Sequence, residues 1–254
     1  MGKIIAIANQ KGGVGKTTTC VNLCSALHEQ GKRVLLCDTD PQGNATSAMG
    51  ADKRQTPLSV YDILVGEATT EKVIMKTPYG DLIPSNKELS GAAIELVGMN
   101  DREFILKNAL NKVKDSYDYI LIDCPPSLEL LTLNSLCAAD TILIPVQCEY
   151  FALEGLSDLM TTLRLVKKRL NPSIDVEGVV MTMYDGRTNL SMQVAEEVKR
   201  YFKEKVYSAV IPRNVRLSEA PSHGKPVLQY DSASKGARAY RDLAAELIKR
   251  NGGG

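Results

Sequence analysis

An eight-residue segment near the N-terminus, Lys11-Gly-Gly-Val-Gly-Lys-Thr-Thr18, has the residue types of a loop that binds a polyphosphate. In the pattern G-x-x-x-x-G-K-[ST], backbone N–H groups surround the phosphates, the lysine reaches the β and γ oxygens, and the hydroxyl binds Mg²⁺. Lys16 and Thr17 occupy these last two positions. The rest of the predicted phosphate site consists of Gly12, Gly13, Val14, Gly15 and Thr18.

The loop departs from the common pattern at its start. Gln10 replaces the first glycine and Lys11 follows it, so two cations flank a loop that normally carries one. A lysine at the start of the loop points away from the nucleotide held by its own chain. Lys11 can therefore serve a nucleotide bound by a second copy of the chain, much as an arginine finger acts in trans.

Acidic residues follow two apolar segments, where a site for a magnesium nucleotide needs them. Asp38 and Asp40 come after Val34-Leu-Leu-Cys37, and a spacing of two places both carboxylates on one side of an extended chain. The segment Tyr119-Ile-Leu-Ile-Asp123 is an apolar strand that ends in an aspartate, which is the Walker B pattern. This aspartate normally reaches the metal through water.

These residues divide into two predicted roles. The predicted metal site is made of Thr17, Asp38 and Asp123. Asp40 lies deeper in the loop that would cover the γ-phosphate, so we expect it to place the attacking water. The predicted catalytic residues are Lys11, Lys16 and Asp40.

Alternating strands and helices are predicted to position these side chains. Ile4-Ile-Ala-Ile-Ala8 is a short apolar strand before the loop, and a helix with apolar residues on its buried face follows it. Strand-like apolar runs cover residues 4–8, 33–37, 119–122, 141–146, 176–183 and 206–211. The alternation predicts an α/β fold of the P-loop NTPase type, with a doubly wound, mainly parallel sheet and helices on both faces. Ligands then bind beyond the carboxyl ends of the strands.

The chain has 254 residues, which suits one domain. Residues 50–114 are more polar and predict a helical insertion with a short strand near residues 82–84. The last helix is predicted at residues 235–249. We expect one domain over residues 1–250 and a frayed tail over residues 251–254.

The cysteine content and the charge distribution predict the cellular compartment and a possible partner of the protein. All six cysteines lie in apolar segments without metal-ligand spacing, which predicts buried reduced thiols and a cytoplasmic protein. The net charge is +1, but residues 187–250 hold 13 Lys and Arg against 7 Asp and Glu. This basic C-terminal quarter is a candidate surface for nucleic acid.

Five segments together resemble a known family. The phosphate loop, Asp38-x-Asp-Pro-Gln-Gly-Asn44 and Ile122-Asp-Cys-Pro-Pro-Ser127 are similar to the ParA/MinD group of deviant Walker ATPases. Pro145-Val-Gln-Cys-Glu-Tyr-Phe-Ala-Leu-Glu-Gly155 and Val210-Ile-Pro-Arg-Asn-Val-Arg-Leu-Ser-Glu-Ala-Pro-Ser-His-Gly-Lys-Pro226 resemble chromosomal ParA proteins of the Soj type. The resemblance covers nearly the whole chain.

The resemblance implies an ATP-driven cycle in which two monomers close face to face over two nucleotides, each Lys11 reaching the phosphates held by the other. The dimer would bind double-stranded DNA without sequence preference, and a ParB-type partner would stimulate hydrolysis and release it. Arg187 and Arg216 match arginines that bind DNA in the family, and Pro212 and Asn214 match the segment near adenine. Members act in chromosome and plasmid segregation, so a nucleoid-associated protein is expected; Soj-like members also modulate replication initiation and sporulation.

Three alternatives remain open on the residues alone. A MinD-like, membrane-associated division-site ATPase would need a terminal amphipathic helix with bulky apolar residues, whereas residues 244–251 lack aromatics, so no stable membrane association is expected. An iron–sulfur protein would need cysteines such as Cys124 and Cys137, whose apolar neighbours favour core packing. A nucleotide-locked protein that coats DNA without turnover would differ only in phosphate release.

Overall fold

In the computed structural model, which describes residues 2–149 and 152–252, seven strands form one sheet. The strands are β1 (Lys3–Ile7), β2 (Val34–Asp38), β3 (Met75–Thr77), β4 (Gly80–Ile83), β5 (Tyr119–Asp123), β6 (Thr141–Gln147) and β7 (Asp175–Thr182). Their order across the sheet is β3-β4-β2-β5-β1-β6-β7, and β3 is antiparallel to β4 while the other pairs are parallel. The prediction of a mainly parallel sheet is confirmed.

Helices connect the strands and cover the sheet. Within the described residues they are α1 (Lys16–Glu29), α2 (Asn44–Ala48), α3 (Val60–Leu64), α4 (Thr70–Val73), α5 (Leu89–Glu95), α6 (Ile105–Asn111), α7 (Leu130–Ala138), α8 (Ala152–Arg169), α9 (Asn189–Phe202), α10 (Val215–Glu219), α11 (Val227–Tyr230) and α12 (Lys235–Arg250). The last helix ends one residue beyond its predicted end. Gly253 and Gly254 of the expected tail lie outside the described residues.

Two separate cores lie on the two faces of the sheet, as the doubly wound prediction requires. Alternate residues of a strand point to opposite faces, so Ile4 and Ala6 of β1 pack into one core and Ile5 and Ile7 into the other. Helices α6 to α9 supply the first core, and α1 and α12 supply the second. The helices therefore hold the sheet from both sides and leave its carboxyl edge open.

The polar region of residues 50–114 forms the four short helices α3 to α6 and the hairpin of β3 and β4. The short strand predicted there is present at Gly80–Ile83, and it pairs in parallel with β2. This region is therefore partly built into the edge of the main sheet. None of the helices in the described ranges has the length and apolarity that a membrane span requires.

The strand predicted at residues 206–211 is wrong. Isolated bridges join Val206 to Val179 of β7 and Pro212 to Tyr184, which lies just beyond β7, and the N–H groups of Tyr207 and Ile211 donate to β7 at 2.9 and 2.8 Å. Between them the N–H groups of Ser208 and Ala209 donate to the carboxylate of Glu246 on α12, at 3.0 Å each, instead of to β7. A ladder cannot continue where its donors are bonded elsewhere, so the apolar run is extended but not a strand.

Candidate nucleotide-binding site

The phosphate loop lies between the end of β1 and the start of α1. Gly13 and Gly15 have φ of 75° and 88°, a left-handed conformation that favours glycine. A Cβ added at Gly12 or Gly13 would meet no atom within 4 Å, so the space beside these two glycines is open. The first turn of α1 has neither a side-chain cap nor an acidic residue. Its backbone N–H groups are therefore available to an anion.

Two polar residues hold the loop from outside. Asn9 accepts a hydrogen bond from the N–H of Lys11 at 3.0 Å and donates to the carbonyl of Pro145 at 2.8 Å. The Thr182 hydroxyl, at the end of β7, donates to the carbonyl of Val14 at 2.7 Å. The sequence interpretation missed both residues. A signal existed, because each is a polar residue at the carboxyl end of an apolar strand.

Lys16 lies inside the loop. The residue is 7% exposed, and its Nζ donates to the Lys11 carbonyl at 3.0 Å. Burial lowers the pKa of Lys16, an effect that the nearby Asp123 and Asp40 carboxylates oppose. The structure thus holds a cation at the bottom of the open loop, where phosphate oxygens would supply charge compensation.

Lys11 lies on the outer side of the loop. Its Nζ is 3.2 Å from Glu149 Oε2, and its side chain is 31% exposed. A Cβ on Gly155 of α8 would be 4.0 Å from the Lys11 Cβ, so the start of α8 is adjacent. The side chain is directed to a carboxylate of its own chain, which the sequence did not predict. In the Soj-type segment that contains Glu149, Tyr150 and Phe151 lie outside the described residues.

Asp38 and Asp123 lie opposite each other in the parallel pairing of β2 and β5. Both are fully buried. Asp38 accepts the N–H and hydroxyl of Thr46 at 2.8 and 2.7 Å and the N–H of Asp40 at 3.1 Å. Burial raises the pKa of Asp38 to about 6, although these hydrogen bonds oppose the shift. Burial, and then the proximity of Asp38, raise the pKa of Asp123 well above its ordinary value.

The Asp123 carboxylate is the most exceptional group of the site. Neither of its oxygens has a hydrogen-bond partner of ordinary geometry among the described residues, although both are buried, and the nearby Thr17 hydroxyl only partly opposes the rise of the Asp123 pKa. A buried carboxylate without partners is costly, and a hydrated cation would supply them. The described residues contain no cluster of three or more His, Cys, Asp or Glu side chains able to hold a metal. The arrangement fits Mg²⁺, which usually keeps several waters and shares its ligands with nucleotide phosphates.

Asp40 is fixed in a turn after β2. It is 8% exposed, its Oδ1 accepts the Gln42 N–H at 2.9 Å, and its carbonyl accepts the Ser85 hydroxyl at 2.7 Å. Oδ2 makes no hydrogen bond within residues 2–149 and 152–252. This oxygen is therefore available to a water molecule.

A cavity of about 620 Å³ adjoins the phosphate loop. Gly15 and Thr18 line one side, and Pro212 and Asn214 line another. The Asn214 side chain also accepts the N–H of Arg216 at 2.9 Å and so caps α10. The volume is within the range of small-molecule sites. The structure thus brings the two residues matched to the adenine segment to the same cavity as the loop.

The two arginines matched to DNA contacts, Arg187 and Arg216, are not among the residues that line this cavity. Arg187 pairs with Asp185 at 2.7 Å, and its side chain is 89% exposed. Arg216 on α10 pairs with Glu219 at 2.9 Å and with Asp231 at 3.1 Å. A nucleic-acid phosphate would compete with these carboxylates.

Comparison with known proteins agrees with this geometry. The family model described as AAA domain matches residues 2–176. The chain is 61% identical over 249 residues to the sporulation initiation inhibitor protein Soj of Bacillus subtilis, covering 97% of this chain and 98% of that protein. It is 52% identical over 254 residues to the chromosome-partitioning ATPase Soj of Treponema pallidum, covering 99% of each.

A solved structure has the same fold. The crystal structure of cobyrinic acid a,c-diamide synthase from Mycobacterium smegmatis with bound ADP and magnesium matches with a TM-score of 0.87 and 39% identity. The match covers 99% of this chain and 96% of that one.

Proposed function

The chain belongs to the AAA-domain family, in the ParA/MinD-type branch with the Soj and ParA chromosome-partitioning ATPases, and we propose that it uses ATP and Mg²⁺ to drive a partitioning cycle. In this cycle ATP binding closes a homodimer, and the dimer binds double-stranded DNA without sequence preference. A ParB-type partner stimulates hydrolysis and releases the DNA. The protein acts in the cytoplasm on the nucleoid.

The observation that carries the ATPase proposal is the buried Asp123 carboxylate, which has no hydrogen-bond partner of ordinary geometry among the described residues. It lies near Lys16, at the edge of the sheet where the phosphate loop opens. When bound, Mg²⁺ supplies positive charge against the phosphate oxygens. Thr17 and Asp123 would hold it. Asp38 retains about one free lone-pair position, so it steadies the surrounding water.

The remaining polar groups of the site bind and orient the substrate. The glycines and N–H groups of the loop surround the phosphates, and Lys16 contacts the β and γ oxygens. Asp40 uses Oδ2 to hold a water in line with the γ-phosphate, since its other oxygen is bonded to Gln42. Pro212 and Asn214 contact the adenine in the adjoining cavity.

DNA binding that depends on nucleotide state is the test of the whole proposal. We expect duplex DNA to bind when ATP and Mg²⁺ are present and to bind hardly at all with ADP, because only the closed dimer presents both basic surfaces. A mobility-shift titration at fixed salt measures this. Equal affinity in the two nucleotide states would contradict a surface formed by dimer closure.

Replacement of Arg216 tests the basic surface. We expect Arg216→Ala to weaken DNA binding about equally on unrelated sequences and to reduce the slope of log K against log salt by about 2, since each subunit of the dimer loses one phosphate contact. Binding isotherms at several salt concentrations measure both. Arg54→Ala, which removes an exposed arginine outside the basic quarter, is the control. A sequence-dependent loss would indicate base contacts instead.

A further inference from the structure

Residues 206–214, which we call the base segment, lead from the end of α9 into the cavity beside the phosphate loop. Ile211, Pro212 and Asn214 of this segment line the cavity. The Ile211 N–H donates to β7 at 2.8 Å, and its carbonyl accepts the Tyr184 N–H at 3.1 Å. The carboxyl end of the segment is therefore attached to the end of β7.

The middle of the base segment is attached to α12 instead of the sheet. Glu246 Oε2 accepts the N–H groups of both Ser208 and Ala209 at 3.0 Å, and Oε1 is also 3.0 Å from the first of them. The Glu246 side chain is 19% exposed, so these bonds are only partly accessible to water. Hydrogen bonds to a charged acceptor are roughly twice as strong as neutral ones.

Arg250, one turn further along α12, fixes both Glu246 and the start of the segment. Its guanidinium donates to Glu246 Oε1 at 2.6 Å and to the Val206 carbonyl at 2.7 Å. It also lies 4.0 Å from the centre of the Tyr207 ring. The carboxylate is thus held in place by a cation that itself contacts the segment.

The same helix reaches the cavity directly. Tyr240 of α12 lines the cavity, and its hydroxyl is 3.2 Å from the Thr19 hydroxyl on α1. Helix α12 therefore joins the first turns of α1, which follow the phosphate loop, to the base segment. These two parts of the site are far apart in sequence, and α12 sets their spacing.

From these contacts we infer that Glu246 is a positioning residue for the nucleoside part of the nucleotide. By holding the amides of Ser208 and Ala209, it keeps the middle of the base segment off the sheet, between the bonds that Tyr207 and Ile211 donate to β7. The course of the segment, and with it the position of Pro212 and Asn214 beside the base, is set in this way. The phosphate loop does not depend on it, because the loop is held by Asn9 and Thr182. This role rests on the proposed nucleotide function.

The test compares a ligand that has a base with one that lacks it. ADP and inorganic pyrophosphate, each with Mg²⁺, are titrated calorimetrically into the full chain and its variants. We expect Glu246→Ala to bind ADP about tenfold more weakly and to bind pyrophosphate as the parent does. The base segment is then no longer fixed beside the base, and the affinity lost is that of one or two hydrogen bonds. Glu246→Gln should recover most of the ADP affinity, because one amide oxygen can accept both N–H groups as Oε2 does.

Asp242→Ala is the matched control, since it removes an exposed carboxylate from the same helix and should leave both affinities unchanged. Unchanged ADP affinity in Glu246→Ala would overturn the inference. An equal loss for ADP and pyrophosphate would also overturn it, because it would indicate a general effect on folding. A parent chain that binds neither ligand would contradict the nucleotide function itself, and the role of Glu246 with it.

Discussion

Asp40→Ala should bind ATP with nearly the affinity of the parent and hydrolyse it about 10²- to 10³-fold more slowly, as is usual when a group that handles the attacking water is removed. The carboxylate has one oxygen bonded to the Gln42 N–H and one without a protein partner in the described part of the chain. Removing it leaves the phosphate loop intact, because none of the loop's described hydrogen bonds involves Asp40. The hydrolysis rate is measured as phosphate release in the presence of a ParB-type partner, and the ATP affinity is measured by calorimetry.

Two variants distinguish the effect of the Asp40 charge from the effect of the turn that Asp40 stabilises. Asp40→Asn keeps an oxygen for the Gln42 N–H and should still lose turnover, since the group left facing the water is then an NH2, which cannot accept a hydrogen bond from it. Asp52→Ala removes an aspartate whose Oδ1 likewise bonds an N–H two residues on, at 3.0 Å from Arg54, and should hydrolyse ATP normally. Parental turnover in Asp40→Ala would exclude the assigned role. Absence of turnover in the parent, with partner and DNA present, would instead favour a protein that coats DNA without hydrolysis.

Lys11→Ala is expected to abolish dimer formation on ATP and, with it, DNA loading and about 10³-fold of the stimulated hydrolysis rate, the lower end of the range for a cation supplied in trans. ATP binding to the monomer should persist. Lys16 bonds the backbone carbonyl of Lys11, which the substitution retains, and the Lys11 side chain contacts Glu149. Sedimentation velocity with ATP and Mg²⁺ measures dimer formation, and calorimetry measures binding.

Lys168→Ala, at an exposed position late in α8, is the matched control for loss of one positive charge and should dimerise normally. Lys11→Arg adds a finer comparison. It keeps the charge, so partial dimer formation would point to electrostatics, whereas complete loss would point to the geometry of the ammonium group. If Lys11→Ala still dimerised and loaded onto DNA, the face-to-face arrangement proposed here would be wrong.

The sequence predicted those parts of the fold whose causes are local. The phosphate loop required glycines and a lysine at fixed spacing, and Asp123 had to follow an apolar run, so both could be recognised without coordinates. The strand at residues 206–211 was mispredicted because its outcome depended on Glu246, which lies far along the chain. Hydrophobic periodicity reports on burial and cannot show which acceptor a backbone N–H will find.

The contacts that support the site could not be predicted from the sequence, for the same reason. Asn9 and Thr182 hold the loop through hydrogen bonds to residues that only the folded sheet brings near. The pairing of Lys11 with Glu149 likewise depends on the approach of α8 to the loop. Residue type and spacing identified which groups could do chemistry, while their restraints came from tertiary structure.

The pair formed by Lys11 and Glu149 bears on the reversibility of any dimer. In a single subunit the Lys11 ammonium is already paired with Glu149 of the same chain. For Lys11 to reach across a dimer, this pair must break, and the other subunit must present a more negative group. A bound triphosphate is such a group, and a second subunit without nucleotide presents none. After hydrolysis and loss of phosphate, the pair of Lys11 and Glu149 can form again, and the attraction of Lys11 to the other subunit is lost. One surface ion pair, worth about 0–1 kcal/mol, thus slightly favours separate subunits when no triphosphate is bound.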